Sequence, residues 1–401
     1  MNDPVVIAGA ARTPIGAFQG DFASLSASDL GACAVKAALA RAAIDPLLVE
    51  QVFLGNCLMA GQGQAPARQA AIKAGLPVSA GAVTLSKMCG SAMQAVIFAH
   101  DTLLAGSASL IVAGGMESMS NAPYLLPKAR GGYRIGHGQI LDHMMVDGLE
   151  DAYARNEQGQ GRSMGSFAED CASTCGFTRQ AQDAFAIASV QRAQAASFDG
   201  SFAWEMAPVS VPGRSGRSDA RMIGQDESPF KARLDKIAAL KPAFRQDGSI
   251  TAASSSSIND GAAALVLMRA STANALGCTI LARICAHASH AQAPHLFCTA
   301  PVGALQKLFN KTGWSVADVD LFEINEAFAV VPMVAMQALG IEHAKLNIHG
   351  GACALGHPIG ASGARIIVTL IGALQKTGGK RGVAALCIGG GEATAIAIEL
   401  V

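Results

Sequence analysis

The sequence predicts an α/β protein of two duplicated halves, with alternating helix and sheet layers and a long insertion. Strand-like and helix-like segments follow the same order twice along the 401 residues. Both halves end on an apolar strand followed by glycines and a glutamate, at Leu110–Ser118 and Ala385–Ala393. Two helices are apolar on nearly every side, which predicts burial between two sheets. Together these observations indicate a gene duplication.

The first half begins with a continuous apolar run that is typical of a buried strand, and a helix follows it. Its predicted elements are, in order, a strand at Val5–Ala8, a helix at Ser26–Ala42, a strand at Gln51–Leu54, an apolar segment at Gly81–Met88, a helix at Ser91–Ala105 and a strand at Leu110–Ala113. The second half repeats this order, with strands at Ile280–Ala286, Val319–Ile324, Lys345–Ile348 and Gly382–Ile388 and helices at Val302–Thr312 and Ser362–Lys376.

The helices Ser91–Ala105 and Gly363–Leu374 have no clear polar face. A helix that is apolar all round must be buried on all sides. We therefore expect each half to place one of these helices against the other half, sandwiched between the two sheets.

Between residues 119 and 258 the composition changes to polar and glycine-rich loops, with one periodic helix at Gln180–Ser197. Long insertions on a packed scaffold usually form lids or binding surfaces. The predicted division is residues 1–118 with 259–279 as the first half, 119–258 as an inserted loop domain, and 280–401 as the second half.

The charge content is low, since 15% of the residues are charged against about 25% in an average soluble domain. So thin a polar surface predicts subunit contacts, elements buried between layers, or both, and we expect an oligomer. The formal net charge is +0 with no basic stripe, which argues against nucleic-acid binding. No apolar run of membrane length and no signal peptide is visible, and the ten scattered cysteines suit a reducing compartment. A cytoplasmic location is therefore expected.

Cys89 lies directly before the first apolar helix. A thiol at a helix N-terminus feels unpaired N–H groups and the positive end of the helix dipole, which lower its pKa and favour the reactive thiolate. Gly90 allows a ligand to approach the backbone closely. The position favours a nucleophile, whereas most single cysteines are packing residues.

The segment 349–363 is rich in glycine and carries two histidines before the second apolar helix. It lacks the lysine of a phosphate-binding loop. A metal site of His349, Cys353 and His357 would need a continuous helix, which the glycines and Pro358 oppose. The pattern therefore favours a loop that positions His357, so that it meets Cys89 where the two halves join.

Cys387 ends the last buried strand, and three glycines, including Gly389, follow it. Sites in α/β proteins gather at the carboxyl ends of strands, and glycines there can free backbone N–H groups as oxyanion donors. The alternative is a strand cysteine followed by a turn. Asn325 ends another strand, and a buried asparagine needs partners. It either caps the next helix or holds a water molecule or a substrate carbonyl.

Eight segments stand in a characteristic order and spacing: Arg12–Gly16, Cys89–Ser91, Gly114–Tyr124, Leu240–Phe244, Ile258–Ala263, Asn325–Ala329, Gly356–Gly363 and Cys387–Gly391. In them the chain resembles the thiolases, and specifically their acetyl-CoA acetyltransferase branch, over nearly its whole length. The resemblance implies a five-layer αβαβα fold, a loop domain inserted in the first half, and a homodimer or homotetramer. It implies acyl-CoA substrates, with no tightly bound cofactor and no metal needed for the reaction.

The resemblance also implies a role for each matching residue. Cys89 carries the acyl group as a thioester, His357 accepts the proton of Cys89, and Cys387 removes the α-proton of the second acetyl-CoA. His357 with a water molecule held by Asn325 forms one oxyanion site, and the backbone N–H groups of Cys89 and Gly389 form the other. The positions that match the surroundings of the pantetheine or acyl group are Ser256, Leu149, Met164, Phe244 and Phe328.

The expected reaction is the reversible Claisen condensation of two acetyl-CoA to acetoacetyl-CoA and CoA. A degradative 3-ketoacyl-CoA thiolase of broader chain-length range, active in fatty-acid metabolism, is one alternative, and a non-catalytic acyl-CoA-binding or lipid-binding protein of the same fold is another. Ser163 stands where short-chain members often carry a histidine, which weakens the case for strict acetoacetyl-CoA specificity. Lys231, in the insertion, is either a ligand of a CoA phosphate or a solvated charge.

Overall fold

The computed structural model describes residues 3–157, 159–213 and 219–401. The strands are β1 (Val5–Arg12), β2 (Gly16–Ala17), β3 (Gln51–Gly55), β4 (Gly81–Leu85), β5 (Leu110–Ser118), β6 (Tyr124–Leu125), β7 (Leu141–Asp142), β8 (Glu150–Arg155), β9 (Gly161–Ser163), β10 (Val209–Val211), β11 (Arg221–Ile223), β12 (Asn259–Arg269), β13 (Ala282–Ala291), β14 (Leu321–Ile324), β15 (Arg381–Ile388) and β16 (Glu392–Leu400). The helices are α1 (Ala27–Arg41), α2 (Pro66–Lys73), α3 (Ser91–Leu104), α4 (Met164–Cys175), α5 (Arg179–Phe198), α6 (Ala270–Ala275), α7 (Ala300–Thr312), α8 (Val330–Leu339), α9 (Ala352–Leu355) and α10 (Ser362–Thr377).

One sheet runs through both halves. Its strands lie in the order β4-β3-β5-β12-β1-β13-β16-β15-β14, and β2 pairs with the first residues of β12. The halves join where β1 and β13 pair antiparallel, through Val6 with Arg283 and Ile7 with Ala282. Strand β12 follows the insertion and pairs between β1 and β5. The chain therefore returns to the first half before it enters the second.

The strand order shows the duplication directly. Counted outward from the junction, the first half runs β1, β12, β5, β3 and β4, and the second runs β13, β16, β15 and β14. In both halves the first two pairings are antiparallel and the third is parallel. The predicted repeat of elements is thus confirmed at the level of topology.

The segment Lys345–Ile348, predicted as a strand, is not one. It makes a single parallel bridge, between Phe322 and Leu346, at the position that β4 occupies in the first half. The strand ends there because Asn347 has a φ of 47°, which turns the chain away from β14. Its side chain accepts a hydrogen bond from the Ile324 nitrogen and donates one to the Ile324 oxygen, both at 2.8 Å. A side-chain amide therefore takes the place of a backbone partner.

The helices form three layers, because alternate residues of each strand face opposite sides of the sheet. Helices α1 and α2 share a core with Val112 and the other side chains on the outer face of the first half. Helices α7 and α8 do the same with Val383 on the outer face of the second half. Helices α3 and α10 share one core with the inner faces of both halves, including Ile111 and Leu386. This is the expected five-layer αβαβα arrangement.

The two middle helices differ in their burial. In α10 every residue from Ser362 to Leu374 is buried. In α3, by contrast, Phe98 and Leu104 are 49% and 50% exposed. The prediction that both helices are buried on all sides is therefore wrong for α3. One flank of α3 lies outside the sandwich, where a groove also contains Val83 of the edge strand β4.

A buried ion cluster ties the insertion to the first half. The guanidinium of Arg12 is fully buried and donates to both carboxylate oxygens of Asp226, at 2.7 and 2.9 Å. Its Nε donates to Glu205, and the ring of Phe202 lies 4.7 Å from the guanidinium carbon. Elsewhere the insertion contributes α4, α5 and three two-stranded hairpins, β6–β7, β8–β9 and β10–β11.

Within the described ranges, we find no helix whose length and apolar character would let it span a bilayer.

Candidate active site

The residues selected from the sequence meet at one cavity of about 260 Å³, which lies where the two halves and the insertion come together. Cys89, His357, Cys387 and Gly389 all lie on its wall. Most of the remaining wall is apolar, and its large side chains are Met88, Met119, Met145, Leu149, Met164, Phe244, Ile258, Phe297, Phe328 and Ile359. Methionine side chains are unbranched and adapt to irregular shapes. The cavity therefore suits a small apolar group beside a few reactive atoms.

Cys89 is positioned by a tight turn between β4 and α3. The preceding residue, Met88, has a φ of 47°, a conformation that is uncommon for a residue with a side chain. The turn directs the backbone N–H groups of Gly90 and Ser91 to the carbonyls of Lys87 and Met88, each at 3.0 Å. The N–H groups of Gly90 and Ser91 are thus already used within the turn.

Burial overturns the prediction that the helix N-terminus lowers the pKa of Cys89. Burial raises the pKa of the Cys89 thiol to about 11, and the nearby Glu117 carboxylate raises it as well. Two backbone N–H groups oppose this effect, that of Gly389 and that of Cys89 itself. Cys89 is therefore a neutral thiol at pH 7, and it needs a base before it can act as a nucleophile.

The role of Gly90 also differs from the expectation. A Cβ at this position would lie 2.3 Å from the Cδ1 atom of Ile388, in the other half of the molecule. Gly90 therefore lets the second half pack against the turn that carries Cys89, rather than giving room to a ligand. Since Ile388 sits between Cys387 and Gly389, this contact fixes both of them relative to Cys89.

His357 is held by its backbone and by one ring nitrogen. Its N–H donates to the side-chain oxygen of Asn259 at 3.2 Å, and its Nδ1 lies 2.6 Å from the hydroxyl of Ser362. That hydroxyl donates its own proton to the carbonyl of Pro358, at 3.0 Å. With its proton directed to that carbonyl, the hydroxyl can accept from an Nδ1–H group, and this tautomer leaves the lone pair on Nε2. The Nε2 atom is buried without a hydrogen-bond partner among the described residues.

Burial, reinforced by the positive charge of Arg365, lowers the pKa of His357 to about 3. The imidazole is therefore neutral at pH 7 and can accept a proton at Nε2. With a thiol of pKa about 11 and an imidazole of pKa about 3 on the same wall, the resting pair is neutral. Transfer of the proton has to be coupled to bond formation at the sulfur, because a resting thiolate–imidazolium pair is strongly unfavourable.

Cys387 is the second thiol on the wall, and it is 1% exposed. Burial raises its pKa well above the ordinary range, and the neighbouring Cys89 raises it further. The backbone N–H of Gly389, two residues later, faces the Cys89 sulfur. The end of β15 thus places a second thiol and a backbone donor next to the first thiol.

Asn325 lies beside His357 but is not part of the cavity wall. Its Nδ2 is 3.4 Å from the Nδ1 atom of His357, and its Oδ1 accepts from Arg365, also at 3.4 Å. Arg365 in turn forms an ion pair with Glu323, a carboxyl whose pKa burial raises to about 8. Asn325 therefore contacts the side of the ring opposite to the free Nε2 atom. Its predicted role in holding a water molecule stays a prediction.

The five pocket residues chosen from the sequence all lie on the cavity wall: Ser256, Leu149, Met164, Phe244 and Phe328. The Ser256 hydroxyl donates to the carbonyl of Ala327 at 3.0 Å. Lys231 is not on this wall. It forms an ion pair with Glu227, its side chain is 64% exposed, and it stays a candidate for phosphate contact only as a prediction.

Two residues that organise the site were not among those selected from the sequence. Ser362 orients His357, and the only local signal was a hydroxyl at the start of a predicted helix. Glu117 is fully buried and accepts hydrogen bonds from the Asn56 side chain and from three backbone nitrogens, those of Cys57, Leu58 and Gly360. It thereby ties the loop after β3 to the loop that follows His357. In the sequence, the feature that could have pointed to Glu117 is a single charged residue within an otherwise apolar strand.

A buried thiol beside a neutral imidazole can accept an acyl group, and a second buried thiol can exchange a proton with a weakly acidic carbon. Two duplicated halves with two thiols and an imidazole at their junction place this protein among the enzymes that transfer acyl groups through a thiol. The family model described as "Thiolase, N-terminal domain" matches residues 5–271, and the one described as "Thiolase, C-terminal domain" matches residues 278–400. The chain belongs to the thiolase family.

Relatives support this over nearly their full length. The chain is 48% identical to acetyl-CoA acetyltransferase 1 of Arabidopsis thaliana, covering 98% of this chain and 94% of the relative. It is 47% identical to the acetyl-CoA acetyltransferase of Pseudomonas aeruginosa, covering 99% of both. The crystal structure of the Bacillus anthracis acetyl-CoA acetyltransferase superposes with a TM-score of 0.95 at 37% identity, covering 100% of this chain and 99% of that one. A thiolase of Ascaris suum in complex with coenzyme A superposes with a TM-score of 0.92 at 39% identity, covering 99% and 100%.

Proposed function

We propose that this protein is an acetyl-CoA C-acetyltransferase, which condenses two molecules of acetyl-CoA to acetoacetyl-CoA and CoA and runs the reverse reaction as well. The observation that carries the proposal is the presence of Cys89, His357 and Cys387 on one apolar cavity wall, with the Gly389 N–H directed at the Cys89 sulfur. Relatives named acetyl-CoA acetyltransferase that match at 47–48% identity over 94–99% of their length support the choice of acyl group.

The first half-reaction transfers an acetyl group to the enzyme. The Cys89 sulfur attacks the thioester carbonyl while His357 Nε2 takes the thiol proton. The N–H groups of Cys89 and Gly389 stabilise the negative charge that develops on the carbonyl oxygen. Coenzyme A leaves as a thiolate and takes the proton that His357 holds. Acetyl-Cys89, neutral His357 and the Cys387 thiol remain.

The second half-reaction forms the carbon–carbon bond. Cys387 passes its thiol proton to His357 as it removes an α-proton from the second acetyl-CoA, and the resulting carbanion attacks the carbonyl of acetyl-Cys89. Cys89 leaves as a thiolate and regains its proton from His357, so that all three residues return to their starting state. Burial raises the pKa of Cys387, and this makes its thiolate a stronger base for a weakly acidic C–H bond.

Intact-mass spectrometry after mixing with acetyl-CoA tests the proposal. Wild type should gain one acetyl group, and Cys89→Ala should gain none. A wild type that gains no acetyl group, or a Cys89→Ala variant that still gains one, overturns the assignment. A series of 3-ketoacyl-CoA substrates of increasing chain length then tests the acetyl specificity, and kcat/KM should be highest for acetoacetyl-CoA.

The proposal includes a homo-oligomer, dimer or tetramer. The chain exposes 16392 Å², against about 14,600 Å² expected for a monomer of its mass. The edge strand β4 is unpaired on its outer side within the described part of the chain, and Val83, Phe98 and Leu104 form an exposed apolar surface beside it. Multi-angle light scattering at micromolar concentration checks this, and a mass of 40.8 kDa would contradict it.

Three further points belong to the proposal. The insertion, residues 119–258, forms the loop domain that meets coenzyme A, since Leu149 and Met164 come from it and line the cavity. No tightly bound cofactor is needed, because both half-reactions use only thiol and imidazole groups. A cytoplasmic location fits the ten cysteines, all of which are free.

A further inference from the structure

A second cluster of reactive side chains lies outside the cavity. It consists of His100 and Asp101 on α3 and His287 on β13. One carboxylate oxygen of Asp101 lies 2.9 Å from Nδ1 of His100 and 3.0 Å from Nε2 of His287. The two imidazole rings are 5.0 Å apart, centroid to centroid, and nearly perpendicular, with 81° between their planes. Three potential metal ligands, two nitrogens and one oxygen, thus converge on one point from two elements that lie far apart in sequence.

We propose that His100, Asp101 and His287 form a binding site for one divalent transition-metal ion of the zinc type. Their ligand atoms all lie within 4.8 Å of one another. Ligands on a tetrahedral zinc ion are about 3.3 Å apart, since each bond is about 2.0 Å long. Small rotations of the side chains therefore bring the three atoms onto one ion. Imidazole and carboxylate ligands suit zinc, cobalt and nickel rather than calcium or magnesium.

Binding of an ion replaces the hydrogen bonds within the cluster. In the structure the Asp101 carboxylate accepts from Nδ1 of His100 and from Nε2 of His287. On binding, each imidazole carries its proton on the other ring nitrogen and offers the lone pair to the ion. Lys311 carries a positive charge near the cluster, and its amine donates to the backbone carbonyl of His287 at 2.8 Å. Among the described residues it makes no hydrogen bond to the three ligand atoms, although its charge reduces the affinity for a cation.

The placement of the cluster gives the ion a structural role. Helix α3 belongs to the first half and β13 to the second, so a bound ion would link the halves near the junction of β1 and β13. His100 lies eleven residues after Cys89 along α3, which is about 16 Å at 1.5 Å per residue. The ion would therefore stabilise the sandwich and would take no part in the reaction.

Titration of the full-length protein with cobalt(II) tests the proposal. Cobalt(II) is the probe because thiolate ligands give it an intense near-ultraviolet charge-transfer band that nitrogen and oxygen ligands do not, so binding to the ten cysteines is recognisable. We expect one equivalent to bind without a thiolate band. Asp101→Asn and His287→Gln, which preserve side-chain size, should weaken binding at least tenfold. His295→Ala, which removes an exposed histidine outside the cluster, is the matched control and should bind like wild type.

Thermal unfolding gives the second measurement. Zinc should raise the unfolding midpoint of wild type and of His295→Ala but not that of His287→Gln. Equal cobalt affinity in wild type and His287→Gln, a thiolate band at the first equivalent, or the absence of saturable binding would each overturn the proposal. Since none of these measurements depends on catalysis, they stand apart from the proposed function.

Discussion

Replacing Ser362 with alanine tests whether a hydroxyl that never touches the substrate controls the proposed base. Ser362 is fully buried at the first position of α10, and it is absent from the cavity wall. Its oxygen is 2.6 Å from Nδ1 of His357 and fixes the tautomer with the lone pair on Nε2. In Ser362→Ala the Nδ1–H group loses this acceptor inside the protein, and the imidazole can rotate or exchange tautomers.

The size of the effect follows from the lost hydrogen bond. A buried donor left without a partner costs about 1–3 kcal/mol. If this energy stabilises only the reactive orientation, the rate of Cys89 acetylation falls by about 5- to 150-fold, at 1.36 kcal/mol per factor of ten. The KM for acetyl-CoA should stay within about twofold of wild type, because the group removed makes no contact with the cavity.

The assay is single-turnover acetylation, followed by intact mass, together with steady-state kcat and KM. Ser362→Thr keeps the hydroxyl and should recover most of the rate. Ser28→Ala removes another buried hydroxyl from the first turn of a helix, far from the cavity, and controls for a general loss of stability. An acetylation rate in Ser362→Ala within twofold of wild type would refute the reasoning, as would a fall that Ser28→Ala reproduces.

Four further predictions rest on single features of the site and fold. Cys387→Ala should still be acetylated once but should lose condensation by at least a hundredfold, and equal loss of acetylation would contradict the division of labour between the thiols. The alkylation rate of Cys89 by iodoacetamide should rise with pH up to about 11, with no low-pH plateau, because burial keeps the thiol neutral; a plateau below pH 7 would contradict this. His357 has a pKa of about 3 in the folded protein and about 6.5 when unfolded, so only the unfolded chain takes up a proton as the pH falls between these values. The free energy of unfolding should therefore decrease by up to about 1.4 kcal/mol per pH unit in that range, and His357→Gln should show a flatter profile by urea denaturation. Arg12→Met leaves the buried carboxylates of Asp226 and Glu205 without a cation, and should destabilise the protein by about 3–5 kcal/mol in the same assay.

Much of the architecture could be read from local patterns. Continuous apolar runs predicted the buried strands β1, β5 and β15, and the lack of a polar face on α10 predicted its burial on all sides. The prediction of a strand at Lys345–Ile348 was wrong because the Asn347 side chain makes hydrogen bonds to the backbone N–H and carbonyl of Ile324. A pattern of apolar residues does not indicate such a contact. The prediction that α3 is buried on all sides was wrong for a similar reason. Composition does not show which sides of an apolar helix the other layers of the same chain cover.

Local patterns were enough to predict which reactive groups meet, because Cys89, His357, Cys387 and Gly389 stand at the ends of buried elements that two related halves bring to one junction. The protonation state of those groups depends on the folded chain. Burial gives Cys89 a pKa of about 11 where the helix N-terminus alone predicted a thiolate, and Ser362 selects the tautomer of His357. The tertiary structure also joined His100 and Asp101 to His287, which lies 186 residues beyond Asp101. Periodicity and turn chemistry act over a few residues, whereas desolvation and hydrogen bonding depend on every group packed around an atom, wherever it lies in the chain.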